Sequence, residues 1–459
     1  MTQHTRTVES RPAAEAVPHD ANQAVAITRS LLRDLFGPPE QRDFAVRLWD
    51  GSRETPPERA PRYTIALNRP GALRRIFLPP SELALGEAYL DGDFDIEGEI
   101  EAAVGLANVV SARLGSPLGY AALIPRLRAL PVDDAPAGAT AGSAPRGRAA
   151  LAGFGARHTR RRDAAAIRYH YDVGNDFYAL WLDQRMVYSC AYFPTGAEDL
   201  DTAQEAKLEH ICRKLRLRPG ERLLDIGCGW GGLVRYAAER YGVEALGVTL
   251  SEPQAALARE RIAAAGLTDR CRVEVRDYRD LPRNRPFDKI VSVGMFEHVG
   301  RSHLYTYFNT AYHLLRPGGL FLNHGIAEGP AQRGMSLPLR LLWRPGSFVA
   351  TYVFPDGELI PPGEALRYAE MVGFETRDVE NLREHYTLTL RQWVRRLEAH
   401  REEAVRIAGE RTYRVWRLYM AGAAQSFATG GNSLIQALFT KLHGDGTIEL
   451  PPTRADLYA

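Results

Sequence analysis

The sequence predicts an α/β protein: a doubly wound, mostly parallel sheet preceded by a small N-terminal α+β domain. Three observations predict it. Ten consecutive residues, Leu223-Leu224-Asp225-Ile226-Gly227-Cys228-Gly229-Trp230-Gly231-Gly232, run from an apolar strand through an acid into a glycine-dense turn. Strand and helix patterns alternate from about residue 165 onward, as parallel strands with crossover helices require. Residues 131–148 are rich in Pro, Ala and Gly and almost free of large apolar side chains, so they read as a linker between two units. At 459 residues and 45% apolar composition, the chain can bury a full core in two domains.

Taken in order, residues 1–22 are polar and read as a disordered tail, and with no apolar stretch there no signal peptide is expected. The α+β unit covers 23–130. Within it, 26–35 has helical spacing, and 44–49 followed by Asp50-Gly51 reads as a strand ending in a turn. Residues 63–67 form a second strand, and 83–90 and 96–110 are helical in period. A flexible basic linker spans 131–160, and the larger domain takes 161–459. There the pattern gives a helix at 201–217, a strand at 222–226, a helix at 233–241 and a strand at 244–249. A helix at 252–265, stopped by Gly266, leads to strands at 271–275 and 287–293. A helix at 304–314, closed by Arg316-Pro317-Gly318-Gly319, leads to a strand at 320–324. A helical layer at 363–371, 388–407 and 410–427 ends the chain. There is no internal repeat.

The formal net charge of +2 argues against bulk nucleic-acid binding. Cys190, Cys212, Cys228 and Cys271 have neither paired nor metal-type spacing, so a reduced cytoplasm is expected and no metal centre. No apolar run reaches about 18 residues, so nothing is expected to span a bilayer. A basic stretch carries Arg146, Arg148, Arg157, Arg160, Arg161, Arg162 and Arg168 against one acid, Asp163. It reads either as a solvated tail or as an attraction to an anionic surface. For the second reading phospholipid headgroups are the candidate, each Arg contributing about 1 kcal/mol.

Glycines at a strand-to-helix turn permit positive φ and let a ligand approach the backbone at the carboxyl end of the strand. Gly227-x-Gly229-x-x-Gly232 also satisfies the dinucleotide fingerprint, a weak pattern alone. The following strand ends at Thr249, where a dinucleotide site needs an acid for the ribose. Asp225 suits a cationic ligand better than a pyrophosphate. S-adenosylmethionine (SAM), with an ammonium and a sulfonium, fits both features. A purely structural glycine turn stays open from this segment alone.

Four more segments sharpen the reading: 169–178 (Tyr-His-Tyr-Asp-Val-Gly-Asn-Asp-Phe-Tyr), 188–193 (Tyr-Ser-Cys-Ala-Tyr-Phe), Gly247-Val248-Thr249-Leu250-Ser251-x-x-Gln254, and 294–300 (Gly-Met-Phe-Glu-His-Val-Gly). Together with the turn they resemble the cyclopropane fatty acid synthases, over about residues 169–439. The stretch around Leu83, Gly86, Tyr89, Asp91, Gly92 and Asp93 also resembles the N-terminal domain of the phospholipid-acting members.

The resemblance implies a Rossmann-like SAM-dependent methyltransferase fold, with added helices forming an acyl tunnel. It implies methyl transfer to a cis double bond of a phospholipid acyl chain, leaving a carbocation that closes to a three-membered ring when the added methyl loses a proton. That proton needs a base within hydrogen-bond reach, and aromatic faces can stabilise the cation by about 0.5–2 kcal/mol each. In the family the base is a bound bicarbonate, and matching motifs assigns its holders here to Cys190, Glu297, His324, Ile326 (backbone) and Tyr386. For SAM the matching assigns Tyr188, Ser189, Asp225, Gly227, Gly229 and Gly231 to the methionine end and sulfonium. Thr249 and Gln254 go to the ribose, Asp277 and Tyr278 to the adenine. The expected partner is an anionic phospholipid bilayer, met peripherally at its cytoplasmic face, with the unit 23–130 and the arginines docking. A homodimer is also entertained.

Singly, each residue has a plainer reading. Cys190 suits a small buried apolar position, His324 a satisfied core histidine, Tyr386 core packing, and Tyr278 an ordinary loop aromatic. Some family members carry a cysteine in the stretch matching 418–427, where this chain has Ala423 and Ala424. Methyl-branched or methylene-bearing products, a small-molecule N-methyltransferase and a non-catalytic SAM- or lipid-binding protein remain as alternatives.

Overall fold

The computed structural model describes residues 21–114, 117–133, 158–171, 173–333 and 347–457. Residues 1–20 of the expected tail and most of the linker, with Arg146, Arg148 and Arg157, lie outside the described residues, while Ala21 and Asn22 begin the first helix instead of ending the tail. The N-terminal unit is a four-stranded sheet in the order β2-β1-β3-β4, with β1 Ala45–Arg47, β2 Arg53–Glu54, β3 Tyr63–Leu67 and β4 Phe94–Gly98. It is covered by the helices Ala21–Phe36, Ala72–Phe77, Glu82–Leu90, Ile100–Leu114 and Pro117–Ala129. Ser81 starts the third of these by accepting from the Ala84 N–H. The expected helix at 96–110 begins as β4 instead. Phe94 and Ile96 alternate with partly exposed Asp95 and Glu97, a period of two, and Gly98 at φ +99° turns the chain into the helix that starts at Ile100.

The second unit holds a seven-stranded sheet. Its strands are β5 Arg222–Ile226, β6 Glu244–Thr249, β7 Cys271–Val275, β8 Phe287–Val293, β9 Leu315–Glu328, β10 Phe374–Asn381 and β11 Asn432–Lys441, in the order β10-β11-β9-β8-β5-β6-β7. From β9 through β7 every pairing is parallel, while β11 and β10 add to that edge antiparallel. The order reverses between β5 and β8, where an open α/β sheet keeps its crevice. The expected terminal helical layer is thus interrupted by two strands. The helix expected at 388–407 is two, Arg383–Ala399 and Arg401–Ala408. They break at His400, whose ring nitrogen bonds back to the Arg396 carbonyl at 2.8 Å.

The two units share one apolar core that runs from Leu31 and Phe77 to Trp181, Trp393 and Trp416. Polar ties cross the same boundary. Buried Arg417, on the helix Glu410–Ala428, donates to the Tyr89 hydroxyl at 3.0 Å, the Ile96 carbonyl at 3.2 Å and Glu398 at 2.7 Å. Arg414 reaches Asp95 at 2.7 Å and Arg391 reaches Glu101 at 2.6 Å. Beyond the N-terminal unit, Arg162 makes a buried bidentate pair with Asp356, at 2.7 and 3.0 Å, and Arg160 pairs with Asp280 at 2.6 Å. Arg162 is therefore committed inside the protein. Among the described residues no helix is long and apolar enough to cross a membrane.

Candidate active site

β5 delivers Asp225, buried, to a turn in which Gly227, Gly229 and Gly231 all have positive φ (+87°, +53° and +75°). The Gly227 and Cys228 N–H groups donate to the Val248 carbonyl, tying the turn to β6. A side chain on Gly229 would meet nothing within 4 Å, so the backbone there is open to a ligand. Burial pushes the Asp225 carboxyl up to about 7, against the pull of Lys207. One of its oxygens, the Tyr188 hydroxyl and the Gln254 amide nitrogen are buried without a hydrogen-bond partner. Buried polar atoms are rarely left so, and a charged, polar ligand such as SAM fits this set.

The loop before this turn presents Tyr188, Ser189 and Cys190. Asp183 accepts from the Val187 and Arg185 N–H groups, and Gln204 donates to the carbonyls of Val187 and Ser189. The Ala191 N–H donates to Thr389 and the Phe193 N–H to His385, pinning the loop to the helix that carries Tyr386. Lys207, fully buried and lowered to about 8 by burial, donates to the Ser189 hydroxyl at 3.0 Å.

Beside them lies a cavity of about 530 Å³, within the usual range of small-molecule sites. Cys190, Glu297, His324, Ile326 and Tyr386 all line it, with Tyr188 and Ser189. The glycines, Asp225, Thr249, Gln254, Asp277 and Tyr278 do not. They stand at or just beyond the carboxyl ends of β5, β6 and β7. Gly294, whose Cβ would come within 4.0 Å of Ser189, is part of the cavity wall at the end of β8.

After Gly294 the short helix Phe296–Val299 turns Glu297 inward. Burial raises its carboxyl to about 7, partly offset because the Ile326 N–H donates to Oε1 at 2.7 Å; Oε2 has no partner. That donor of Ile326 is therefore already committed to Glu297. Burial lowers His324 to about 3, so its ring is neutral. The Gln436 amide nitrogen lies 3.2 Å from His324 Nδ1 and can only donate there, which leaves the ring proton on unpartnered Nε2. Burial holds the Cys190 thiol and the Tyr386 phenol well above their ordinary values, so both stay protonated. The Cys190 thiol already donates to the Ala191 carbonyl at 3.2 Å, so the wall offers His324 Nε2 and the Tyr386 hydroxyl as proton donors beside one carboxyl, a set able to hold a small oxyanion.

Thr249 and Gln254 hydrogen-bond each other at 2.9 Å. Asp277 is gripped by Arg279, at 2.8 and 2.6 Å, which holds its carboxyl below the ordinary range after burial is offset. Ala423 lines the cavity, whereas Ala424 is buried in the core. Sequence reasoning missed Lys207 and Gln436, neither of which stands in a local motif. It quoted His170, Tyr171 and His298 without giving them a role. His170 and His298 are kept neutral by burial, at about 3 and about 4.

Comparison with known proteins agrees with this geometry. A family model described as mycolic acid cyclopropane synthetase matches residues 158–437, and a domain of unknown function matches 31–111. The chain is 41% identical over 421 residues to a probable fatty acid methyltransferase of Pseudomonas putida, covering 90% of this chain and 95% of that one. It is 38% identical over 283 residues to the cyclopropane-fatty-acyl-phospholipid synthase of Escherichia coli K12, covering 62% and 69%. The solved mycolic acid cyclopropane synthase CmaA1, complexed with SAH and CTAB, superposes with a TM-score of 0.58 at 34% identity, over 61% of this chain and 98% of that one. A doubly wound sheet with an acidic glycine turn at its switch point, in this company, is that of a SAM-dependent methyltransferase. Within that class the chain belongs to the mycolic acid cyclopropane synthetase family.

Proposed function

We propose that the protein transfers a methylene group from SAM to the cis double bond of an unsaturated acyl chain in a membrane phospholipid, forming a cyclopropane ring. The cavity carries this reading. Among the described residues no lysine or arginine stands in its wall, which is mostly apolar, and the unpartnered atoms of Glu297 and His324 meet it beside Ser189 and Gly294. A long uncharged chain suits such a space, and a charged small molecule does not.

Bound at the glycine turn, SAM supplies an electrophilic methyl. A bicarbonate would supply the base for the departing proton, and its fit rests on the donors of His324 and Tyr386 beside Glu297, with Cys190 packed alongside and its thiol turned to the Ala191 carbonyl. Ile326 acts through Glu297, whose carboxyl its N–H holds. Asp225 favours the cationic ligand, and Lys207 orients Ser189 at the boundary between turn and cavity. Tyr171, Tyr188, Phe354, Tyr386, Tyr419 and Phe427 ring the cavity and favour positive charge on the chain, each by about 0.5–2 kcal/mol. Leu118, 84% exposed on the N-terminal unit, supports peripheral docking on a bilayer. The four cysteines, all free and buried, accord with a cytoplasmic setting.

The test is to incubate the protein with SAM and monounsaturated phospholipid vesicles and weigh the released acyl esters. A gain of one CH2 is expected; unchanged esters would remove the reading. A methyl-branched product is the second reading, favoured by the relative named a fatty acid methyltransferase that matches along 90% of the chain. Fragmentation of the product distinguishes ring from branch.

A further inference from the structure

The cavity continues past the polar residues into the N-terminal unit. Ile65 on β3 lies directly across from Ile96 on β4, and Phe94, two residues earlier, shares the face of Ile96. All three line the cavity. Ala103, Leu106 and Val110 follow at helical spacing on Ile100–Leu114 and line it as well. The seam with the catalytic unit is tight. A Cβ on Gly86 would stand 2.2 Å from the Phe348 ring, so only glycine lets the two units meet there. The result is an apolar chamber in which, among the described residues, the only charged lining residue from the N-terminal unit is Glu82.

A double bond in mid-chain, held beside Cys190, Glu297 and Tyr386, leaves one arm of the acyl chain on either side. One arm carries the phosphate headgroup, which cannot be buried without cations. Among the described residues the cavity wall has no lysine or arginine, and Glu82 would repel the group further. The arm that fits the chamber is the one ending in a methyl group.

We propose that the N-terminal unit is the ruler of the acyl chain: its chamber receives the methyl-terminal arm, and Ile65, Ile96 and Leu106 set the length accepted. This rests on the reading of the substrate as an unsaturated acyl chain. The unit thereby determines specificity from inside the active cavity, in addition to any contact with a membrane. Its helices and sheet form a floor that the catalytic unit lacks.

The test uses the full chain, SAM and phosphatidylglycerol vesicles that mix two cis-monounsaturated chains. The two share the distance from carboxyl to double bond and differ only in length beyond it. Because both compete in one vesicle, the product ratio does not depend on how much enzyme is folded. Ile65→Phe and Leu106→Phe should shift the ratio toward the shorter chain by roughly tenfold or more, the discrimination one methylene gives in an apolar pocket. Ile65→Ala should shift it toward the longer one. If a filled variant modifies neither chain, a phospholipid with a diazirine at the methyl end, photolysed on the wild-type protein, decides. Adducts within 63–110 support the chamber, and adducts confined to the catalytic unit overturn it. Ratios unchanged in all three variants, with wild type active, overturn the proposal alone. A wild type that modifies neither chain overturns the substrate reading and the proposal with it.

Discussion

Replacing Glu297 by Gln separates the charge of this residue from its shape. The amide still offers Oε1 to the Ile326 N–H, 2.7 Å away in the native site, and fills the same volume. What disappears is the ionisation of a carboxyl that burial raises from 4.5 to about 7. At about 1.4 kcal/mol per pH unit, that difference corresponds to roughly 3 kcal/mol. The sign follows from proton binding. The folded carboxyl holds its proton more tightly than the unfolded one, so its contribution is full below about pH 4.5. It is lost progressively as pH rises toward 7, and levels off above. Glu297→Gln should therefore gain stability relative to wild type across that window, by up to about 3 kcal/mol. Urea unfolding of both proteins at a series of pH values measures the difference, in which the contributions of other groups cancel. Turnover should fall by about a hundredfold or more, as for loss of a group that handles a proton, while SAM affinity by calorimetry stays near wild type. A stability difference indifferent to pH would mean that the carboxyl is hydrated, and wild-type turnover would remove Glu297 from the chemistry.

Asp225→Ala should raise the SAM dissociation constant at least about tenfold, a loss of about 1.4 kcal/mol. Wild-type affinity should also weaken as pH falls below about 7, where this carboxyl gains a proton; calorimetry showing neither effect would displace SAM from the turn. Depleting bicarbonate should slow turnover and borate should inhibit it, because the donors of His324 and Tyr386 suit a small oxyanion. Rates indifferent to both would make Glu297 itself the base. Binding to anionic vesicles, followed by sedimentation, should weaken with salt, since exposed charges are screened within about 10 Å at 0.1 M. Leu118→Asp should weaken it too, and wild-type sedimentation of this variant at every salt concentration would exclude its face from docking.

The strands β3, β5, β6, β7 and β8 were legible to the residue because each is short and bounded by turn residues, β7 by alternation of apolar with charged residues and the others as largely apolar runs. β11 was not, for a physical reason: eight of its ten residues are buried, so no alternation marks it. β10, at the sheet edge, is mostly polar, with Glu375, Arg377, Asp378 and Glu380 charged. Cys190 and Glu297 were legible because they stand in local segments. Gln436 was hidden with β11, and Lys207 reads as an ordinary helical lysine until Ser189 is placed beside it at 3.0 Å. The chamber was beyond sequence reasoning, since it is assembled from strands and helices far apart along the chain. Structure also separated Ala423, in the cavity wall, from Ala424 in the core.

The central claim is that this cavity brings a methyl from SAM to an alkene and then removes a proton from that methyl. The measurement that addresses both steps uses SAM with a fully deuterated methyl group and monounsaturated phospholipid vesicles, followed by mass spectrometry of the acyl esters. The expected product is one deuterium short of the label, held in a ring. A product that keeps the whole label as a methyl branch would contradict ring closure, and unlabelled acyl chains alongside SAM bound at the turn would contradict the transfer itself.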